Sequence, residues 1–136
     1  MIAADTNVIF PLFVRGARTD AATKLYELDP IWLTEPFALI EFSNILSTYS
    51  RSGLVSREKA LEYLELAQDF LVPNLISIPN SKALEMAIDY GVTAYDARFL
   101  AVAQRTGQLL VTEDTRLRRA APKLTQSMDE ALGNKA

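Results

Sequence analysis

Four acidic residues carry the chemistry available to this chain. Asp5 ends the short apolar run Ile2-Ala3-Ala4, and Asp114 follows the run Leu109-Leu110-Val111-Thr112. Asp96 lies just after Thr93-Ala94-Tyr95, while Glu41 sits among apolar neighbours in the stretch from Pro36 to Ile45. Carboxylates gathered at one place repel each other and hold their protons unless a cation lies among them. Composition narrows the choice of cation, because the chain has 0 Cys and 0 His. Those absences exclude a disulfide framework, a Cys/His zinc site, a thiol nucleophile and an imidazole acid–base catalyst. An all-oxygen ligand set selects Mg²⁺ or Mn²⁺, as one or two ions. Such a site lowers the pKa of water and clamps the non-bridging oxygens of a phosphodiester, so the implied reaction class is metal-assisted phosphodiester hydrolysis. Thr6, Asn7, Asn44 and Thr112 lie beside the acids, where they can orient them or hold water.

Each acid also has a structural reading. Asp114 and Asp5 are both placed to cap a helix that starts one residue later. Asp96 completes a Thr93-x-x-Asp96 capping box. Glu41 is the hardest to explain structurally, since no Lys or Arg stands three or four positions away to neutralise it. Helical spacing puts Phe37 and Ile45 on its own face. Glu113 reads as an exposed neighbour of Asp114.

The elements that must position these residues follow from apolar period and punctuation. Short apolar runs predict strands at 2–4, 31–33, 75–78 and 109–112, the third bounded by Pro73 and Pro79. Helices are predicted over 6–14 and 20–28, the second capped by Thr19 or Asp20 and stopped by Asp29-Pro30. Thr34 reads as the cap of a helix with Glu35 and Pro36 in its first turn, running to Arg51 with Gly53 beyond. Ser56 caps the next, with Ala60, Leu64, Ala67 and Leu71 at helical spacing. Further helices run from Asn80 or Ser81 to Gly91, from Thr93 to Gly107, and over 115–120. Strands alternating with helices predict an α/β fold around a parallel sheet, which gathers ligand sites at the carboxyl ends of its strands. Asp5, Asp96 and Asp114 all fall at that edge.

Taken together, these residues resemble the PIN-domain family, specifically the VapC-type toxin ribonucleases of bacterial and archaeal toxin–antitoxin pairs. The resemblance runs from Asp5-Thr6-Asn7-Val8 through Pro36, Glu41-Phe42-Ser43-Asn44 and Thr93-Ala94-Tyr95-Asp96-Ala97 to Thr112-Glu113-Asp114. It implies a single PIN domain over 1–136, a three-layer α/β/α sandwich with a central parallel sheet of four to five short strands. It further implies that Asp5, Glu41, Asp96 and Asp114 bind one or two Mg²⁺ or Mn²⁺ ions, supported by Thr112 and Asn7. The implied activity is endoribonuclease cleavage of RNA by metal-activated water, leaving a 5′-phosphate. A small VapB-like antitoxin, a homodimer and a cytoplasmic location complete the expectation. Arg15, Arg18, Arg116, Arg118 and Arg119 are the candidates for meeting the RNA backbone, with Lys123 nearby; a solvated helix face is the plainer reading of the second cluster.

The net charge of −3 argues against a nucleic-acid partner at first sight. Setting the four acids aside as metal ligands leaves the rest of the chain net positive, which removes the objection. The first fourteen residues are apolar but lack a basic start and are broken by Asp5, Asn7 and Pro11, so no signal peptide is expected. No stretch approaches the roughly 18 uninterrupted apolar residues of a membrane span. Three other readings compete: a housekeeping PIN nuclease without an antitoxin, an aspartyl-phosphate phosphatase, and a metal-free interaction domain. Asn7 counts against the phosphatase, which usually places a second Asp two residues after its nucleophile.

Overall fold

Ile2, Ala3 and Ala4 are all buried, as a strand of a parallel sheet covered on both faces must be. This strand, β1 (Ile2–Ala4), is hydrogen-bonded along both edges. Ile2 donates to the Ile31 carbonyl on one side, and Ala3 and Asp5 donate to Leu109 and Val111 on the other. The computed structural model describes residues 1–133, so residues 134–136 of the domain expected from the sequence lie outside the described residues. After β1 come α1 (Thr6–Phe13), α2 (Thr19–Leu28), β2 (Trp32–Leu33), α3 (Phe37–Arg51) and α4 (Arg57–Leu71). A 3₁₀ turn over Val72–Asn74 leads to α5 (Asn80–Tyr90) and α6 (Ala94–Thr106). The chain continues with β3 (Leu110–Val111), α7 (Thr115–Ala120), β4 (Thr125–Gln126) and α8 (Met128–Ala131).

The sheet is wholly parallel, in the order β2-β1-β3-β4, and helices flank it. From β1 the chain first builds outward to β2 and later returns to lay β3 on the opposite edge of β1. The carboxyl ends of β1 and β3 therefore flank the point where strand order reverses, the place where open parallel sheets hold ligands. Asp5 follows β1 directly, and Thr112 follows β3 directly.

Helix boundaries are set largely by the predicted punctuation. Ser56 accepts from the Lys59 N–H, Thr93 from Asp96, and Asp114 from Arg116 and Leu117. Gly107, at φ +71°, closes α6 in the left-handed conformation that a side chain would strain. Helix α3 buries Ala38, Phe42 and Leu46, one residue per turn, facing the core. Phe42 packs against Phe10 and Phe13, which ties α3 to α1 beneath the site.

Four expectations change. Thr34 does not cap α3; its hydroxyl donates to the Ala4 carbonyl (2.8 Å), and its backbone forms an isolated parallel bridge to Leu75. Residues 75–78 do not form a strand, because Thr34 offers this single pairing before the chain turns into α3. Thr19 lies inside α2 rather than capping it, its hydroxyl accepting from the Gly16 N–H (2.9 Å). Finally, β4 and α8 were not predicted: Thr125-Gln126 has no apolar run to mark it, yet it completes the sheet. Among the described residues no helix is long and apolar enough to cross a membrane.

A buried ion pair braces the fold next to the strand ends. Glu35, between β2 and α3, has a side chain only 5% exposed; its Oε2 accepts from Arg98 Nη1 at 3.1 Å, and its Oε1 accepts the Phe37 N–H. Arg98 also donates to the Ile78 carbonyl and to Asn80. One guanidinium thus joins α6 to the start of α3 and to the entry of α5. Removing one member of such a pair leaves a buried charge uncompensated, so Arg98→Met should lower the unfolding free energy by about 3 kcal/mol. Adding Glu35→Gln should recover part of that loss. Equilibrium urea denaturation measures both, and an Arg98→Met protein as stable as wild type would sink the bracing role.

Candidate active site

Asp5 is held by a set of short polar contacts. Its Oδ1 accepts the Thr6 N–H at 2.7 Å, and its Oδ2 accepts the Thr112 hydroxyl at 2.7 Å and Asn7 Nδ2 at 3.4 Å. Thr112 is fully buried, and its oxygen also accepts from Asn7 Nδ2 (3.2 Å) and from the Asp114 N–H (3.1 Å). Asn7 Oδ1 in turn accepts the Glu113 N–H at 3.0 Å. The ends of β1 and β3 are therefore joined by side chains as well as by the sheet, and the loop carrying Asp114 is fixed relative to Asp5.

Glu41 reaches the same place from α3. The partner that the sequence does not disclose is Thr6, whose hydroxyl donates to Glu41 Oε1 at 2.6 Å. Asp96 enters from the first turn of α6, and Asp114 caps α7. All four acids line one open cleft of about 540 Å³, together with Thr6, Asn7 and Asn44. Its apolar wall is formed by Phe37, Ile40, Ile45 and Tyr95. The structure thus brings together all four acids and Asn7, with Thr112 directly behind Asp5. Among the described residues no three acidic side chains form a preassembled cage for one ion.

Electrostatics separate these carboxyls from ordinary surface acids. Burial, reinforced by the charges of Glu41 and Asp96, pushes Asp5 up to about 7 against the hydrogen bonds from Thr112 and Thr6. Glu41 is raised by burial and by Asp96, against the Thr6 hydroxyl. Asp96 is raised by burial and by Asp114, against Thr93. Each of these acids feels another as a like charge, the condition that a cation relieves.

The arginines divide. Arg15 and Arg18 line a second cleft that shares Asn7 and Ile45 with the first, so the two adjoin. Arg15 lies 3.5 Å from Asp20, with both side chains largely exposed, a pairing of little strength. Arg116 lines a third cleft that shares Asp96 and Asp114. Arg118 is engaged within the protein, donating to the Thr112 carbonyl at 2.6 Å beside Glu113. Arg119 and Lys123 are exposed and line none of these three clefts. Glu113 is half-buried rather than exposed: its Oε2 accepts the Met128 N–H (3.1 Å), which fastens the start of α8 to the site loop. Sequence reasoning does not single out Glu35 and Arg98. The signal that could have found Glu35 is the one that marks Glu41, the lack of any basic residue within four positions.

Comparison with known proteins identifies the fold. The PIN domain family matches residues 2–123. Ribonuclease VapC3 of Pyrobaculum aerophilum is 29% identical over 126 residues, covering 90% of this chain and 96% of that protein. Among solved structures, PAE2754 from Pyrobaculum aerophilum superposes with a TM-score of 0.77 at 22% identity, over 97% of this chain and 93% of the other. FitAcB from Neisseria gonorrhoeae gives 0.67 at 18% identity, over 94% and 98%. The two structures speak for the fold, whose strand order sets the acids around one cleft. With the family match spanning β1 to α7, this chain belongs to the PIN domain family.

Proposed function

We propose that this chain is a divalent-metal-dependent endoribonuclease and the toxin of a toxin–antitoxin pair, with a small antitoxin as its protein partner and a homodimer as its working form. The observation that carries the nuclease reading is the single cleft lined by Asp5, Glu41, Asp96 and Asp114, at the switch point of a PIN fold. Similarity to a protein named Ribonuclease VapC3 supports RNA as the substrate. The toxin role rests on the resemblance carried by the motifs around the four acids.

The donor set fits a hard cation. Every candidate ligand is an oxygen, and three of the carboxyls are pushed up by burial and by a neighbouring acid's charge. Mg²⁺ keeps much of its water and is commonly held by only one or two carboxylates, so neighbouring acids without a closed cage suit it. When bound, Mg²⁺ or Mn²⁺ supplies a more acidic water and a clamp on the phosphodiester oxygens. The chain's own residues do the positioning. Thr112 and Asn7 aim Asp5, Thr6 aims Glu41, and the α7 N–H groups fix one oxygen of Asp114. The clefts bearing Arg15, Arg18 and Arg116 meet the acidic cleft on two sides, which gives a polyanion places to lie across it.

Asp5→Asn and Asp96→Asn should abolish RNA cleavage while leaving the fold intact. Thr112→Val, which removes only the positioning hydroxyl, should cost about 10- to 100-fold in activity. Sequencing RNA 5′ ends after induced expression, wild type against Asp5→Asn, tests activity and identifies the substrate together; identical 5′-end profiles would refute the proposal.

Binding of single-stranded RNA should weaken on Arg15→Ala and Arg18→Ala, and its logarithmic salt slope should fall by about 0.7 for each phosphate that the variant no longer neutralises. An unchanged slope in fluorescence anisotropy removes both residues from the RNA path.

The metal-free protein should also lose stability as pH rises. Below about pH 4 Asp5 is protonated both folded and unfolded; between there and about 7 only the folded state keeps the proton. Folding is therefore progressively disfavoured across that window, and Glu41 and Asp96 act in the same direction. Thermal melting in EDTA at pH 5 and pH 7.5 should show the fall, Asp5→Asn should flatten it, and added Mn²⁺ should restore more at the higher pH. Matching pH profiles for wild type and Asp5→Asn would contradict the assignment.

A further inference from the structure

One aromatic pair differs from the other ring contacts. Phe10, Phe13, Trp32, Phe42, Tyr49, Phe70 and Tyr26 meet at tilted or edge-on angles of 56° to 81°, the usual way rings fill a core. Phe37 and Tyr95 instead lie parallel, at 10° between planes and 5.2 Å between centroids. Neither belongs to the sealed interior: Phe37 is half-buried and Tyr95 is 62% exposed. Phe37 backs one side of the tyrosine ring, which leaves the other side to solvent. An aromatic ring held flat and open in this way is a surface suited to a further flat partner.

Its location decides what that partner is. Both rings line the acidic cleft, Tyr95 precedes Asp96, and Phe37 stands one helical turn before Glu41. The helices that carry the pair are also joined to each other. Glu35 accepts the Phe37 N–H and the Arg98 guanidinium, which locks the start of α3 to the first turns of α6. Arginine-bearing clefts adjoin the acids on two sides, so the site offers cation-rich ground for a backbone and a flat apolar ground for a base. This is the combination by which proteins hold unpaired nucleic-acid strands.

We infer that Tyr95, backed by Phe37, is a base-stacking subsite for an unpaired nucleobase next to the scissile phosphate. The assignment rests on the ribonuclease reading above. A base stacked there holds the strand extended over the acids and disfavours paired RNA, whose bases are already stacked on one another. The subsite reads the flat face shared by all bases, so it selects single strands more than any one base.

The test uses short fluorescent single-stranded oligoribonucleotides that the wild-type protein cleaves, with and without a base at each nucleotide flanking the cut. Tyr95→Ala should raise KM by about 10-fold or more with a smaller effect on kcat, and Tyr95→Trp should restore it. An abasic nucleotide at one flanking position should raise the wild-type KM by a similar factor and add nothing to Tyr95→Ala. Melting of Tyr95→Ala close to that of wild type shows that the fold is kept. A wild-type KM in Tyr95→Ala, or abasic and Tyr95→Ala effects that simply multiply, overturns the subsite and leaves the nuclease standing. So does loss of a co-expressed protein partner from Tyr95→Ala with RNA kinetics intact, which assigns the ring to a protein interface. Failure of the wild type to cleave any of the oligonucleotides overturns the nuclease reading, and the subsite with it.

Discussion

The hydroxyl of Thr112 is the contact on which the arrangement turns. It is fully buried at the end of β3, donates to Asp5 at the end of β1, and accepts from both Asn7 and the Asp114 backbone. Three groups from two distant parts of the chain are thereby fixed to one oxygen. A hydroxyl can do this because it donates and accepts at once; a carboxylate there would add repulsion, and a methyl would leave the Asp114 N–H without its acceptor and Asn7 with only the longer contact to Asp5. This donor and the Thr6 N–H both face Asp5, which is almost wholly buried beside other acids.

The strand order gives that contact its setting. Because β1 lies between β2 and β3, the chain must leave its carboxyl end in one direction and return on the other side. The return brings Asp114 to Asp5 across more than a hundred residues of sequence, while α3 and α6 deliver Glu41 and Asp96 from helix faces. Among the described residues, repulsion between the acids is countered by hydroxyls and backbone N–H groups rather than by lysine or arginine. Glu35, a buried carboxylate that does take an arginine, stands outside the cleft's lining and serves to hold two helix starts together. Charge neutralisation and charge accumulation are thus kept in adjacent but separate places.

Much of this was legible in the residues. Apolar runs that end in Asp or Thr marked the strand ends, and caps such as Ser56 and Thr93 with the closing Gly107 marked the helices, because these signals act within one turn of chain. What sequence spacing missed depends on partners far away. Thr34 has a good cap's side chain, but the Ala4 carbonyl competes for it. Residues 75–78 have a strand's composition and lack a second strand to continue along. Glu113 has the composition of a surface residue and is engaged by the Met128 N–H, fifteen residues on, which the β3–β4 pairing brings near. The acids themselves were found from types and order; their shared cleft needed the strand order, which local pattern does not encode.

The small fourth strand has a practical meaning for anyone handling this protein. The family match stops at residue 123, yet Leu110 donates to the Leu124 carbonyl and Thr112 to that of Gln126. Cutting the chain at the family boundary would strip β3 of its outer neighbour and bare an apolar strand edge, the kind of surface that invites pairing with another molecule and aggregation. The backbone N–H of Thr112 would lose its partner as well, loosening the residue that aims Asp5. Two polar residues, Thr125 and Gln126, thus act as a selvedge, finishing the sheet where it would otherwise fray, beside the strand that ends in Thr112.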